Sequence, residues 1–303
     1  MGKVLPSLMD QRLYEIADTL AKDAGSGASD MMSNVMSSLL AIPDDELASI
    51  GSSEWERFAL ALHRAKPSVA PIFNIANAIM LEIEQGGDGA TVIRTTLTEM
   101  MEREKRSGEL IASIAKEYID AQWLVTSSYS GTVGHVLEIL ARDRPLKVTV
   151  AESLPGGEGR MFAKKLSEMG IEAEVIHDST VFARMSDADG AITGADSLTP
   201  AGLVNKVGTR TLAEAARSCH LPTYAVCGWS KACPVVLSDL IISQKTLGSR
   251  LSERIQIFES TPLDLISTLI TDRGPMASED LRMKLGACPV AKGWSTHKLF
   301  ERR

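Results

Sequence analysis

The chain has 303 residues, of which 44% are hydrophobic and 23% charged, a composition typical of one large or two ordinary globular domains. Its net charge of −7, without a long basic run, argues against a protein that binds nucleic acid by neutralising phosphates. No apolar stretch approaches the roughly 20 residues of a membrane helix, and the N-terminal segment lacks the apolar core of a signal peptide. We therefore expect a cytoplasmic protein that has no membrane partner.

The first 120 residues predict a helical domain. Apolar residues recur at helical spacing in residues 10–24, 29–42, 52–65, 68–85 and 95–119, and few β-branched alternations interrupt them. Ser29 or Asp30 is the predicted N-cap of the second helix. We expect a first domain that covers residues 1–120.

From about Gln122 the period of the pattern changes, because apolar runs of strand length alternate with helical segments. Such alternation predicts an α/β domain over residues 121–303, with a parallel sheet and helices on both of its faces. The predicted strands are WLVTSS, LKVTVAES, AEVIH, GAITGA, PTYAVCG and IQIF.

The cysteines and histidines indicate no metal site. None of the four cysteines forms a CxxC pair, and no histidine lies beside them at the spacing of metal ligands. Cys227 lies in an apolar run, where a buried free thiol is expected. We expect a reduced protein without a bound metal.

Polar clusters follow four of the predicted strands. They are Thr126–Ser130, Glu152–Gly159, Asp178–Ser179 and Asp196–Lys206. The carboxyl ends of parallel strands meet at one edge of a doubly wound sheet, where ligands bind. The four clusters are therefore expected to converge there, although ordinary loop polarity and helix capping would also place polar residues at strand ends.

The segment GADSLTPAGLVNKVGT is the most informative of these clusters. Asp196 ends a small apolar run, and Asn205, Lys206 and Gly208 follow before a predicted helix. An acid, an amide, an ammonium group and the free N–H groups of a helix N-terminus suit a small phosphorylated or hydroxylated ligand. A polar loop in which Asp196 caps backbone amides is the alternative, and the spacing leaves both open.

Three segments, ESLPGGEGR, GADSLTPAGLVNKVGT and FESTPLDLISTLITDRG, resemble the ESRP…EGR, GADR…NGxxxNKIGT and F…TPP…ITxxG segments of the translation initiation factor 2B α/β/δ family. That family also includes methylthioribose-1-phosphate isomerase and ribose-1,5-bisphosphate isomerase. The match runs from about Leu124 to Gly274. The N-terminal half is similar only through AGSGAS, near the family's RGA segment, and KPSVAPIFN, near its RPTAVN segment.

The resemblance implies a helical domain followed by a Rossmann-like domain, and a homodimer formed through the C-terminal half. It also implies a pocket between the domains for a sugar phosphate or nucleotide phosphate, with no cofactor. The residues that it assigns to substrate binding are Gly27, Ala28, Lys66, Glu158, Asn205 and Lys206.

In the isomerases of this family a cysteine and an aspartate handle the protons. The aspartate corresponds to Asp196, but the position of the cysteine is taken by Ser128, so Asp196 and Ser128 are the candidate catalytic residues. A thiol can be tuned to exchange a proton near neutral pH, whereas a serine hydroxyl needs an activating base. Two arginines that would grip phosphate correspond to Ser26 and Leu154.

Three functions remain open. The first is a regulatory protein that binds a phosphorylated sugar or nucleotide, and the second is an aldose-ketose isomerase with altered chemistry. The third is a subunit that acts by protein–protein contact, which Tyr129–Ser130 favours through its similarity to the AYS segment of the non-catalytic subunits.

Overall fold

The computed structural model describes residues 10–23, 25–86, 89–237 and 242–296. Its first part is helical. The helices are α1 Gln11–Lys22, α2 Ala28–Leu40, α3 Asp44–Ala48, α4 Ser52–Ala65, α5 Ala70–Glu84 and α6 Gly89–Tyr118.

The apolar faces of these helices form one core. Trp55 and Phe58 of α4 pack into it with Phe73 of α5, and all three side chains are fully buried. Helix α2 begins earlier than predicted, because Gly27 is its N-cap and Ser29 and Asp30 already lie in the first turn. The prediction of Ser29 or Asp30 as the N-cap was wrong, since the chain turns at the glycine without a side-chain cap.

The second part alternates strands and helices. The strands are β1 Trp123–Ser127, β2 Lys147–Ala151, β3 Glu172–Ile176, β4 Gly190–Thr193, β5 Ser197–Thr199, β6 Gly202–Lys206, β7 Thr223–Val226, β8 Ile242–Gly248, β9 Leu251–Gln256, β10 Phe258–Thr261, β11 Thr268–Thr271 and β12 Gly274–Met276. The helices are α7 Gly131–Asp143, α8 Glu158–Glu168, α9 Val181–Met185, α10 Thr209–Ser218, α11 Ser278–Gly286 and α12 Gly293–Thr296.

Seven strands form the main sheet in the order β12-β11-β7-β4-β1-β2-β3. All neighbours are parallel except β12, which pairs antiparallel with β11 at one edge. If the six parallel strands are numbered along the chain, their order is 3-2-1-4-5-6, which is the Rossmann order. The predicted Rossmann-like sheet is confirmed.

Helices cover both faces of this sheet. Leu124 packs with α6, α7 and α8 on one face, whereas the next residue, Val125, packs with α9 and α10 on the other. Successive residues of a strand point to opposite faces, so a buried run such as WLVTS requires apolar cover on both sides. The predicted layers are confirmed.

The late part of the sheet differs from the prediction. The IQIF run does not form a strand of the main sheet, because Ile255 pairs within the antiparallel β8–β9 hairpin and Phe258 pairs with Lys206 of β6. The outermost parallel strand is instead β11, which pairs with β7. Strands β5, β6 and β10 form a separate antiparallel sheet beside the carboxyl ends of the main strands.

The C-terminal segment returns to the helical part of the molecule. Trp294 of α12 is fully buried in the same core as Phe58 and Phe73. Asn77 of α5 accepts hydrogen bonds from the Ala291 amide and the Trp294 indole, both at 3.0 Å. None of the helices in the described part of the chain has the length and apolar character needed to cross a bilayer.

Candidate functional site at the carboxyl ends of β1 and β4

The chain reverses its direction across the sheet between β1 and β4. From β1 it proceeds to β2 and β3, and from β4 to β7 and β11 on the other side. The two strands are in parallel register, with Leu124 beside Gly190 and Val125 beside Ala191. Such a reversal opens a crevice at the carboxyl ends of the strands, where open α/β sheets bind ligands.

The loops that follow β1 and β4 touch each other. Ser130 is the N-cap of α7, and its Oγ accepts a hydrogen bond from the Val133 amide. A Cβ atom added at Gly194 would lie 2.7 Å from that Oγ, so any larger residue there would force the Ser130 side chain to move. This close approach brings the segment that starts at Ser128 near the segment that ends at Asp196.

Asp196 lies directly after β4, and its backbone amide donates to the Val204 carbonyl at 2.9 Å. The residue is half-buried, and among the described residues its carboxylate accepts no hydrogen bond and has no ion-pair partner within 4.0 Å. Burial raises the pKa of Asp196, and the ammonium groups of Lys231 and Lys206 oppose that rise. Asp196 is thus a carboxyl group that is free to bind a ligand or to exchange a proton.

Lys206 and Glu158 form a buried ion pair near Asp196. The Lys206 ammonium group contacts Glu158 Oε1, and Lys206 is only 8% exposed. Glu158 begins α8, and its second oxygen, Oε2, is buried without a partner among the described residues. The pair therefore brings one neutralised lysine and one unsatisfied acceptor to the site.

Asn205 connects three elements. Its Nδ2 donates to Thr193 Oγ1 of β4 at 3.2 Å and to Thr209 Oγ1 of α10 at 3.0 Å. Both amide hydrogens are thereby committed to holding β6 against β4 and α10, so the amide positions the elements of the site.

The N-terminus of α10 is already capped. The Gly208 and Arg210 amides donate to Glu259 Oε1 of β10 at 2.7 and 2.9 Å. The prediction that this helix N-terminus is free to receive an anion was therefore wrong, because a carboxylate of the same chain occupies it.

Ser128 has a left-handed backbone, with a φ of 66°, and is nearly buried. Its amide donates to Ser153 Oγ at 2.6 Å. Among the described residues its hydroxyl has no hydrogen-bond partner, so no base activates it.

The two positions where the resemblance would place arginines carry no cation. Leu154 is 56% exposed, and its amide and that of Ser153 donate to the Asp178 carboxylate at 2.8 and 2.7 Å. The Ser26 amide donates to Asp23 Oδ1 at 2.9 Å. Asp178 and Asp23 thus satisfy the backbone amides of both loops.

The N-terminal candidates lie at the beginning of α2 and just before α5. Gly27 is the N-cap of α2 and Ala28 is its first residue. The Lys66 ammonium group donates to the Asp23 carbonyl, and burial lowers the pKa of Lys66 while the Asp23 carboxylate opposes this. Lys66 therefore ties the end of α4 to the loop before α2.

Lys231 is a site residue that sequence reasoning missed. It lies in the turn Trp229–Lys231 after β7, is 4% exposed, and its Nζ donates to Ser29 Oγ of α2 at 3.0 Å. Burial lowers the pKa of Lys231, and the carboxylates of Asp196 and Glu104 oppose that change. The polar residues that follow β7 in the sequence could have indicated Lys231, because the carboxyl end of β7 lies at the same edge of the sheet as those of β1 and β4.

Helix α5 also reaches the site. Ser197 Oγ accepts from the Ala70 amide and donates to the Ser68 carbonyl, both at 2.8 Å. Since Ser197 follows Asp196, this contact sets Asp196 against the helical part of the molecule. Together with the Lys231–Ser29 contact, this contact shows that the crevice lies where the helical part of the molecule meets the sheet.

Neither nearby buried thiol can act in place of the missing cysteine. Burial raises the pKa of Cys227 to about 12 and that of Cys233 to about 12, so both are protonated near neutral pH. The part of the chain that the structure describes contains no group of three or more His, Cys, Asp or Glu side chains able to hold a metal ion.

The chain is similar in sequence to a putative translation initiation factor and to a sugar-phosphate isomerase. The chain is 27% identical to a putative translation initiation factor eIF-2B subunit 2-like protein of Pyrococcus abyssi, over 88% of this chain and 97% of that one. It is 25% identical to ribose 1,5-bisphosphate isomerase of Archaeoglobus fulgidus, over 74% of this chain and 76% of that one.

Solved structures show the same architecture. The eIF-2B structure from Pyrococcus horikoshii OT3 is 27% identical and superposes with a TM-score of 0.75, covering 88% of this chain and 98% of that one. The 5-methylthioribose 1-phosphate isomerase from P. horikoshii OT3 is 20% identical, with a TM-score of 0.66 and coverage of 90% and 87%, and shares the fold. The model of the Initiation factor 2 subunit family matches residues 27–278, and the chain therefore belongs to that family.

Proposed function

We propose that the protein binds a small phosphorylated sugar or nucleotide in the crevice at the carboxyl ends of β1 and β4, and that it does so without isomerising it. The observation that supports this most is the Asp196 carboxylate at the topological switch point, which has no hydrogen-bond or ion-pair partner among the described residues. Lys206 and Lys231 are close enough to influence its pKa.

Unsatisfied polar atoms beside the crevice support a hydroxylated ligand. Ser127 Oγ at the end of β1 and Glu158 Oε2 at the start of α8 are buried without partners in the described part of the chain. Buried polar groups in folded proteins almost always have a partner, and exceptions call for an explanation. Sugar hydroxyls would donate to Glu158 and Asp196 and pair with Ser127.

The same residues argue against turnover. Ser128 stands where the resemblance places the thiol, and among the described residues its hydroxyl has no hydrogen-bond partner that could act as a base. Burial keeps the thiols of Cys227 and Cys233 protonated. Ser26 and Leu154 stand where the resemblance places two arginines, and each missing charge-assisted hydrogen bond would weaken phosphate binding by about 1.5–3 kcal/mol. We therefore propose binding that serves regulation.

An isomerase is the second candidate, and the raised pKa of Asp196 favours it. A carboxyl group that titrates closer to neutral pH is a suitable proton carrier. The isomerase of A. fulgidus is a relative over three quarters of the chain, which keeps sugar 1-phosphates among the ligands to test.

Thermal unfolding and turnover together decide between the two. Ribose 1,5-bisphosphate, methylthioribose 1-phosphate and AMP are each added to the unmodified protein. We expect one of them, at 100 times its dissociation constant, to stabilise the fold by about 2.7 kcal/mol without conversion. Turnover by the unmodified protein that is lost in Asp196→Asn would establish the isomerase instead.

The triple variant Ser26→Arg, Leu154→Arg and Ser128→Cys tests why turnover is absent. It restores the two guanidinium groups and the thiol that the resemblance assigns to the isomerases. Appearance of turnover in this variant alone would support a binding protein derived from an enzyme. If the unmodified protein turns over a sugar phosphate and Ser128→Ala leaves that rate unchanged, Ser128 has no catalytic role.

We also propose that two copies associate through their C-terminal domains in the cytoplasm. Among the described strands β3 is at the edge of the main sheet, and exposed apolar side chains lie in β3 and in the segments that precede and follow it along the chain. They are Leu154, Met161, Val175 and Phe182. An apolar patch beside an open strand edge suits an interface. Light scattering at micromolar concentration should return twice the mass of the chain, and the mass of a single chain would contradict the dimer.

If the third function applies and the protein is a subunit, this same patch would contact a different chain. A chain of the tetrameric eIF2B-beta2-delta2 complex from C. thermophilum shares the fold at a TM-score of 0.67. A homodimer that binds no phosphorylated ligand would favour this function over the first.

A further inference from the structure

A second cavity lies on the other side of the Trp229–Lys231 turn from the crevice. It is enclosed by α5, α6, this turn and the segment that includes Cys288 and Pro289, with a volume of about 260 Å³. Pockets for drug-sized ligands measure roughly 300–1,000 Å³, so this one suits a smaller metabolite. Its location between the helices and the sheet is a common place for ligand sites.

The wall of the cavity is mainly apolar. Met32 of α2, Ala78 and Leu81 of α5, Met100 of α6 and Pro234 after the turn contribute to it. Asn77 fixes the opposite wall, because its Nδ2 donates to the Pro289 carbonyl at 3.0 Å. A ligand here needs an apolar group to cover these side chains.

An arginine without an ion-pair partner among the described residues, Arg273, lines the cavity. Arg273 stacks on the Trp229 ring with 4.5 Å between the guanidinium carbon and the ring centroid. In the described part of the chain no carboxylate pairs with Arg273, whereas Arg103, which also lines the cavity, pairs with Glu99 at 3.1 Å. The Arg273 guanidinium group is therefore available for a ligand carboxylate.

Two carboxylates line the cavity, Asp272, which accepts a hydrogen bond from the Trp229 amide at 2.5 Å, and Glu104 on the α6 side. Glu104 is half-buried and, among the described residues, has no ion pair or hydrogen bond. The Ser230 hydroxyl is buried without a partner, and Glu104 Oε2 and Ser230 Oγ lie 3.5 and 3.3 Å from the position of a Cβ on Gly228. The two acceptor groups thus converge on the same part of the cavity, where they suit an ammonium donor.

The Asn74 side chain supplies one more acceptor. Its Nδ2 donates to the Ser230 and Ala232 carbonyls at 2.8 and 2.9 Å, which holds the turn in place. Its Oδ1 has no partner within the described residues. A rigid turn, an apolar wall, and the Arg273 guanidinium group and Glu104 carboxylate, neither of which has an ion-pair partner among the described residues, form a site for a ligand of zero net charge that carries both signs.

From this arrangement we infer that the cavity binds a free neutral α-amino acid with an apolar side chain. Arg273 pairs with its carboxylate, Glu104 and Ser230 receive its ammonium group, and the side chain packs against Met32, Leu81 and Met100. This site is independent of the ligand proposed for the crevice.

Isothermal titration calorimetry of the unmodified protein with L-leucine and L-methionine tests the inference. We expect at least one of them to bind at millimolar concentration or tighter. Two leucine analogues, 3-methylbutylamine and 4-methylpentanoate, each lack one charged group and should bind at least about tenfold more weakly. Adenine, an uncharged planar ligand of similar size, should not bind.

Two variants then locate the site. Glu104→Gln and Arg273→Gln should each weaken binding of the amino acid about tenfold or more, since each removes one charged partner. Glu102→Gln and Arg106→Gln are matched controls on the exposed face of α6 and should leave it unchanged. Three results would overturn the inference: no binding of either amino acid, binding of adenine alone, or binding of an analogue as tight as that of L-leucine. Affinity for the amino acid in Glu104→Gln or Arg273→Gln equal to that of the unmodified protein would also overturn it.

Discussion

Ser128 belongs to the candidate site and has an unusual backbone conformation. Its φ of 66° lies in the left-handed region, which costs a non-glycine residue about 1–2 kcal/mol. Such strained residues concentrate at ligand sites, where the surrounding structure holds them in place. The hydrogen bond from the Ser128 amide to Ser153 Oγ helps to hold Ser128 in this conformation.

Ser128→Gly should therefore stabilise the fold. We expect a gain of up to about 1 kcal/mol in the free energy of unfolding, because glycine adopts this backbone without strain. The neighbouring change Ser127→Gly serves as the control, since Ser127 lies in β1, where glycine should destabilise by about 0.5–1 kcal/mol. Urea denaturation measures both, and equal destabilisation by the two changes would refute strain at Ser128.

Glu152 should give the fold a defined dependence on pH. Its carboxylate accepts from Arg160 at 2.6 Å and contacts His177 Nδ1 at 2.8 Å. These hydrogen bonds, that of His177 first, lower the pKa of Glu152 below its ordinary value of 4.5. A carboxyl group with a lowered folded-state pKa stabilises the protein fully above its unfolded pKa and loses that effect as the pH falls through the folded-state pKa.

Glu152→Gln should accordingly destabilise the protein at pH 7, and the difference from the unmodified protein should shrink as the pH falls below about 4.5. Thermal unfolding between pH 7 and pH 3 provides the measurement. Glu168→Gln, at an exposed position of α8, should show little difference at any pH. A constant gap between Glu152→Gln and the unmodified protein would show that the carboxylate charge is not the cause.

At the scale of elements, α10 depends on a cap from a distant part of the chain. Glu259 of β10 lies 49 residues after Arg210 and receives the Gly208 and Arg210 amides. Glu259→Ala should therefore cost about 0.5–2 kcal/mol, which is the usual effect of removing a helix cap. Glu253→Ala on the exposed β9 strand should cost almost nothing, and equal costs for both changes in urea denaturation would contradict this role.

The sequence predicts elements well where one pattern decides them. Strands β1, β2, β3, β4 and β7 are compact apolar runs that each follow a helical segment, and all five are in the main sheet. The IQIF run is as apolar as these strands. Its position is decided by pairing partners that are distant in the sequence, and the local pattern of apolar residues does not reveal them. Strand β11 was missed because its four residues follow a proline-containing segment without a helix pattern.

The candidate site, too, was predictable from the sequence only in part. Asp196, Asn205 and Lys206 could be selected from their positions after strand ends, a consequence of topology. The commitment of Asn205 to Thr193 and Thr209, the capture of Lys206 by Glu158 and the contact of Lys231 with Ser29 all depend on three-dimensional packing. Residue types alone could not reveal which of these groups keep a hydrogen-bond donor or acceptor available for a ligand.

At the scale of the whole molecule, the C-terminal segment joins the two parts of the fold. Trp294 is 1% exposed and packs 5.3 Å from the Phe73 ring in the core of the helical part. Trp294→Ala should cost about 3–5 kcal/mol, the usual range for a buried aromatic side chain. Phe182→Ala, at a 51% exposed position, should have a small effect, and a similarly small effect of Trp294→Ala would show that the segment is not anchored.

The proposed function depends on whether the Asp196 carboxylate, which has no partner among the described residues, binds a ligand. Isothermal titration calorimetry with ribose 1,5-bisphosphate, methylthioribose 1-phosphate and AMP should find a ligand for the unmodified protein. Its affinity should fall about tenfold or more in Asp196→Asn and stay unchanged in Asp187→Asn, an exposed position at the opposite end of β4. Absence of binding by all three ligands, or equal affinity in Asp196→Asn, would contradict the proposed function.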